Sequence, residues 1–202
     1  MPLPIRLITG LGNPGPGYYA TRHNAGFWFV DTLAGRFNLS FRAEAKFNAE
    51  ICRLTTPEQE CWLCKPATYM NESGHAVQSI SGFYRIPLGQ ILIVHDDIDL
   101  EAGSIRLKQG GGHGGHNGLR DIIRQTGDNS FVRLRIGVGH PGSRELVTPY
   151  VLGQPDADDL ALILTAINSS MEIITLLLEG SLQKVMNRLH KKNRQKEEDE
   201  DR

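Results

Sequence analysis

Ile91-Leu92-Ile93-Val94 places four apolar residues in a row, without the polar alternation of a strand that keeps one face wet. A segment of this kind is stable as a central strand covered on both sides, so the chain must supply helices for two faces of one sheet. Ile5 to Thr9 reads as a first strand, and Thr21 or Asn24 can cap a helix bearing Phe27, Val30, Leu33 or Ala34, and Phe37 at helical spacing. Phe47 to Leu54 and Glu60 to Lys65 flank a polar, Pro57-containing connection and read as a hairpin pair. Ser73 to Tyr84 sets Ala76, Val77, Ile80 and Tyr84 on one helical face and ends before Pro87.

Ile105 and Leu107 belong to a further strand, Leu119 to Gln125 to a short helix closed by Gly127, and Val132 to Val138 to a sixth strand. Asp156, Asp158 and Asp159 put negative charge at the positive end of an apolar helix, Leu160 to Leu178, which Gly180 breaks before a basic helix. Strands interleaved with helices predict an α/β fold: a single-domain three-layer sandwich, its mixed twisted sheet surrounded by helices. The 202 residues, 40% of them hydrophobic, suffice for one core. No uninterrupted apolar run reaches the roughly 18 residues of a spanning helix, and the start lacks a signal peptide's pattern. A cytoplasmic protein with no membrane partner is expected.

Cys52, Cys61 and Cys64 are an odd number, and Cys61 and Cys64 lie in a strand-like stretch where residues three apart face opposite ways. Buried thiols are expected, and neither a disulfide nor a zinc site. Between Gly103 and Arg144 seven Lys or Arg (Arg106, Lys108, Arg120, Arg124, Arg133, Arg135, Arg144) oppose two acids, Asp121 and Asp128, around a glycine-rich loop. Such clustering suits phosphates. A run of bases from Lys184 to Lys196 precedes the acids Glu197 to Asp201, and residues 191–202 are expected to be a disordered charged tail after a catalytic domain at 1–190.

Gly10-Leu11-Gly12-Asn13-Pro14-Gly15 matches a dinucleotide-binding fingerprint, yet Pro14 and Pro16 remove the N–H donors that a pyrophosphate needs. A rigid turn aiming Asn13 outward from the first strand fits better. Gly110 to Gly118 lets backbone approach a ligand closely, with Asn117 able to cap the next helix. A metal site from His95, Asp96, His113 and His116 is the rival there, but so many glycines would hold ligands loosely. His23, where the first loop meets its helix, could reach the carboxyl end of the central strand and pair with a carboxylate as a hydrolytic dyad. Asp96, Asp97 and Asp99 all qualify as that partner.

Taken with Thr21-Arg22-His23-Asn24-Ala25-Gly26, Lys65 to Asn71, His95 to Leu100, Gly110 to Gly118 and Arg133 to Pro141, the Gly10 to Gly15 block resembles the bacterial-type peptidyl-tRNA hydrolase family. The likeness runs in family order from Leu7 to about Leu189. It implies His23 as general base, Asp96 as its orienting partner, and Asn13, Asn71 and Asn117 as amides that hold substrate. Met70 would be an apolar wall, with Tyr18 and His116 also substrate-binding, and Arg106, Lys108 and Arg135 would contact tRNA phosphates. No metal and no cofactor are implied; the partner is tRNA carrying a peptide, and the enzyme a monomer.

Overall fold

The computed structural model describes residues 3–57 and 59–189. Among them, seven strands form one sheet: β1 (Leu7–Gly10), β2 (Arg42–Glu44), β3 (Ala49–Thr55), β4 (Glu60–Pro66), β5 (Ile91–Asp97), β6 (Ile105–Gln109) and β7 (Val132–Gly137), in the order β2-β3-β4-β1-β5-β7-β6. The four central strands β4, β1, β5 and β7 are parallel, while β2–β3, β3–β4 and β6–β7 pair antiparallel. The helices are α1 (Ala25–Arg36), α2 (Ser73–Phe83), α3 (Asn117–Thr126), α4 (Val147–Val151), α5 (Ala157–Ser170) and α6 (Ile174–Leu178). This is the α/β sandwich on a mixed sheet that the sequence predicts.

Alternate residues of the central strands serve two cores. Ile8, Leu92 and Val94 pack with Phe29, Val30 and Leu33 of α1 and Ile163 and Ile167 of α5. Leu7, Ile91 and Ile93 pack with Ala76, Val77 and Ile80 of α2 and Leu119 and Ile122 of α3. The unbroken apolar run therefore has the two covered faces it requires. Cys61 and Cys64 belong to opposite cores, and all three cysteines are buried and free.

Several local expectations need correction. β2 is a seventh strand that the sequence does not announce, because Arg42-Ala43-Glu44 carries no apolar alternation and exists only as an edge paired with β3. Phe37 falls one residue past the end of α1 and is 41% exposed, not on its buried stripe. Asn24 stands at the N-cap of α1 without a side-chain capping bond. The cap of α3 is His116, one residue earlier than expected, and Asn117 is the first helical residue. Gly127 closes α3 as expected, with φ 73°, and Asp156, one of the acids expected at the start of the apolar helix, is the N-cap of α5, its side chain accepting from the Asp159 N–H at 2.8 Å.

Ala157–Leu178 is 22 residues long and contains an 18-residue window of mean hydropathy 1.8, enough by length and composition to cross a membrane, although Asp, Asn, Ser and Glu interrupt the segment. Here it is divided into α5, a 3-10 turn and α6, and it lays Ile163, Ile167, Ile174 and Leu177 on the sheet. Helix continues over 182–189, with Val185 and Leu189 buried and Lys184 and Arg188 exposed. The charged tail at 191–202 lies outside the described residues.

Candidate active site

β1 and β5 are parallel neighbours, with Gly10 opposite Val94, so the loops that leave their carboxyl ends emerge together. The loop after β1 ends in a 3-10 turn, Arg22–Asn24, that leads into α1. Gly26 permits the contact: a Cβ there would collide with the backbone of Leu11 and Val94. That close approach delivers His23 to the end of β5.

His23 Nδ1 lies 2.9 Å from both carboxylate oxygens of Asp96. Asp96 is 2% exposed, so its charge is barely screened by water. Burial pulls the His23 imidazole down, but the charge of Asp96 and its hydrogen bond outweigh this and leave the ring above its ordinary value. Burial would raise the Asp96 carboxyl, yet His23 and His116 hold it well below the usual carboxylate range. With Nδ1–H donated to Asp96, Nε2 of His23 is the nitrogen left to accept a proton. Of the three acidic candidates the geometry selects Asp96. Asp97 instead accepts from Arg135 Nε at 2.6 Å, and one of its oxygens takes the Asp99 N–H at 3.0 Å.

His116 bonds on both sides of its ring. Nε2 is 3.0 Å from Asp96 Oδ1, while Nδ1 accepts the N–H groups of Gly118 at 3.2 Å and Leu119 at 3.4 Å. Successive positive φ angles at Gly114 (58°) and Gly115 (83°) make the turn that leads to it. His116 therefore lines the cleft but keeps its nitrogens engaged within the protein. His95 donates Nδ1–H to the Asp96 carbonyl at 2.6 Å, and its buried Nε2 has no partner among the described residues. Burial, with His116 alongside, pushes His95 down to about 3, so it stays uncharged.

Asn13 is held in the cleft floor, not aimed outward. It is 5% exposed, its backbone exchanges two hydrogen bonds with the Asn24 carboxamide, and its Oδ1 accepts the Met70 N–H at 2.7 Å. Its Nδ2 makes no hydrogen bond among the described residues, and Asn13 lines the cavity. Asn71 and Asn117 are exposed side chains on the rim of the same cavity, and Met70 and Tyr18 also line it.

The cavity has a volume of about 1120 Å³, ample for the end of a polymer. One side is cationic. Across β6 and β7, Arg106 faces Arg135 and Lys108 faces Arg133, so the four share one face of the sheet. Lys108 and Arg135 line the cavity, whereas Arg106 is not among its lining residues. Arg133 has a role that membership of the basic cluster does not reveal. Its guanidinium bonds the Gly111 and Gly112 carbonyls and lies 4.8 Å from the Phe131 ring, so it anchors the glycine loop. Its period-two spacing from Arg135 is the available signal.

Sequence reasoning also misses Arg22. Buried beside His23, it donates to the Gln154 carbonyl at 2.8 Å, lies 4.0 Å from the Tyr150 ring and pairs with Asp159 at 3.6 Å. It thus ties the His23 turn to α4, whose Val147, Thr148 and Val151 wall the cleft.

Among the described residues, His23, Asp96 and His116 offer ligand atoms within 4.8 Å of one another, as a metal site would. Their bonding runs against that use. With Nδ1 of His116 accepting two amide N–H groups, its ring proton resides on Nε2, the atom that would have to bind the metal. Of the other rival ligands, His113 Nδ1 accepts the Gly115 N–H at 3.0 Å.

The sequence model of the family described as peptidyl-tRNA hydrolase matches residues 7–198. A peptidyl-tRNA hydrolase of Coxiella burnetii (strain RSA 331 / Henzerling II) is 51% identical over 186 residues, covering 92% of this chain and 97% of that protein. One of Actinobacillus succinogenes is 50% identical over 187 residues, 92% of this chain and 96% of its own. A crystal structure of peptidyl-tRNA hydrolase from Acinetobacter baumannii superposes with a TM-score of 0.90 at 46% identity, covering 94% of this chain and 96% of that one. On the family model over residues 7–198, relatives about half identical over nearly the whole chain and a superposing crystal structure, the chain belongs to the peptidyl-tRNA hydrolase family.

Proposed function

We propose that this chain hydrolyses the ester joining a peptide to the 3′ ribose of tRNA, with His23 as general base and Asp96 as its orienting partner. The contact that carries this reading is His23 Nδ1 at 2.9 Å from both Asp96 oxygens, which leaves Nε2 for a water beside a floor donor, Asn13 Nδ2. As the water oxygen attacks the ester carbonyl, its proton passes to Nε2. Negative charge gathers on the carbonyl oxygen, where the Asn13 Nδ2–H donates to it, an effect worth about 3 kcal/mol of barrier. The ribose oxygen then leaves with the proton returned by the imidazolium.

Asn71 and Asn117 would grip backbone amides of the peptide, beside walls formed by Met70, Tyr18 and the carbon edge of His116. Lys108 and Arg135, with Arg106 next to them, would meet tRNA phosphates. The reaction so written uses no metal and no cofactor. It assigns residues 1–190 to one catalytic domain that works as a monomer in the cytoplasm, with no membrane partner.

The test is release of an N-blocked amino acid from its tRNA in the presence of EDTA. Wild type should turn over, and His23→Ala should lose about 10²-fold or more while still binding. Wild-type turnover by His23→Ala overturns the base assignment. Loss of wild-type activity on chelation points to a metalloenzyme, and binding without release to an RNA-binding module.

A further inference from the structure

We propose that His116 is a positioning residue that joins the helix cap of α3 to the catalytic carboxylate: by accepting amide N–H groups on Nδ1 it is compelled to donate Nε2–H to Asp96, and that donation lowers the basicity of His23. The proposal rests on His23 being the base and assigns to His116 a task other than gripping substrate.

The chain of cause begins at the helix. The first N–H groups of α3 have no partner within the helix and need an acceptor. His116 occupies the N-cap and supplies Nδ1 to Gly118 and Leu119. A ring nitrogen that accepts carries no proton, so the tautomer with Nε2–H is selected, and Nε2 lies 3.0 Å from Asp96 Oδ1. Asp96 Oδ1 then serves two imidazoles at once, since His23 Nδ1 is 2.9 Å away. The two rings approach to 5.0 Å between centroids. A second donor spreads the carboxylate's charge and sets a positive dipole end beside His23, and both effects disfavour the imidazolium.

Few other charges intervene. On the His23 turn there is Arg22, whose guanidinium is turned to Gln154, Tyr150 and Asp159. On β5 are His95, which bonds the Asp96 carbonyl, and Asp97, whose carboxylate is occupied by Arg135 of β7. His116 is thus the only group besides His23 that bonds the Asp96 carboxylate among the described residues.

His116→Asn separates the two tasks, because Asn is a strong N-cap residue but is too short to cap the helix and reach Asp96 together. The acid limb of kcat/KM in His116→Asn should move up by roughly half to one pH unit, with the melting temperature near that of wild type. His116→Ala should show the same shift and lose stability as well. 15N NMR of the ring nitrogens reads the proposal without catalysis: the neutral His116 ring should show the Nε2–H tautomer in wild type, and His23 should titrate higher in His116→Asn. Because His23→Ala tests the base itself, the two failures are distinguishable. An unmoved or lowered His23 titration in His116→Asn, or the Nδ1–H tautomer of the neutral His116 ring in wild type, overturns the proposal. Should the variants fail to fold, the wild-type spectrum still decides the tautomer.

Discussion

Asn13 Oδ1 accepts the backbone N–H of Met70 at 2.7 Å. An N–H group can only donate, so this one bond settles the orientation of the carboxamide and turns its donor half, Nδ2, to the cleft. Asn13→Asp keeps an acceptor for Met70 and replaces Nδ2 with an oxygen. Turnover should fall by about 10²- to 10³-fold in single-turnover assays. A near-wild-type rate would remove Asn13 from the role of oxyanion donor.

With His23 as the proposed general base, its raised ring should set the pH dependence. Only its unprotonated form takes a proton from water, so kcat/KM should rise with pH along a limb centred above about 6.5. Asp96→Asn deletes what raises the ring and leaves the burial that lowers it. The limb should then move to lower pH while turnover drops by about 10²- to 10⁴-fold. This is opposite in direction to the shift expected for His116→Asn, and a pH–rate series on both variants checks the signs.

Stability should follow the same pair. The depressed Asp96 carboxyl contributes stability above its unfolded value of about 4 and loses it as pH falls through the depressed value. The raised His23 ring contributes fully below its unfolded value and loses that contribution as pH rises through the raised one. Thermal melts of Asp96→Asn across the acid range should therefore show a weaker pH dependence than those of wild type.

The cationic face should govern affinity more than chemistry. Lys108→Ala is expected to raise KM more than it lowers kcat, and Arg106→Ala, outside the cavity, to do so less. Each cation that no longer neutralises a phosphate should reduce the slope of log affinity against log salt by about 1. An unchanged slope in a variant carrying both Arg106→Ala and Lys108→Ala would detach this face from tRNA binding.

Gly26→Ala probes how the site is assembled. Its Cβ would meet backbone atoms of Leu11 and Val94, which cannot swing aside like the end of a side chain. A loss of about 3 kcal/mol in denaturant unfolding is expected. Turnover should fall as well, because the turn that carries His23 must withdraw from Asp96.

The layered α/β architecture is legible in the chain because its signals are local: an unbroken apolar run demands two covers, and helical stripes such as Ala76, Val77 and Ile80 provide one of them. Paired edges are not legible, since β2 has no pattern of its own and exists through its partner β3. The site divides in the same way. Chemistry-bearing residues such as His23, the acids after the central strand and the amides can be named from the sequence, and family likeness orders them. Residue chemistry alone leaves Asp96, Asp97 and Asp99 open, and the resemblance points to Asp96; the physical reason lies in the tertiary structure, because parallel pairing of β1 with β5 sets which carboxylate the first loop can reach, while Arg135 occupies Asp97. The orientation of Asn13, the tautomer of His116 and the confinement of Arg133 to the glycine loop likewise depend on backbone groups far away in the chain or across a turn. Residue type and spacing decide what a side chain can do; which of its atoms remain available is decided by the partners that the fold brings to it.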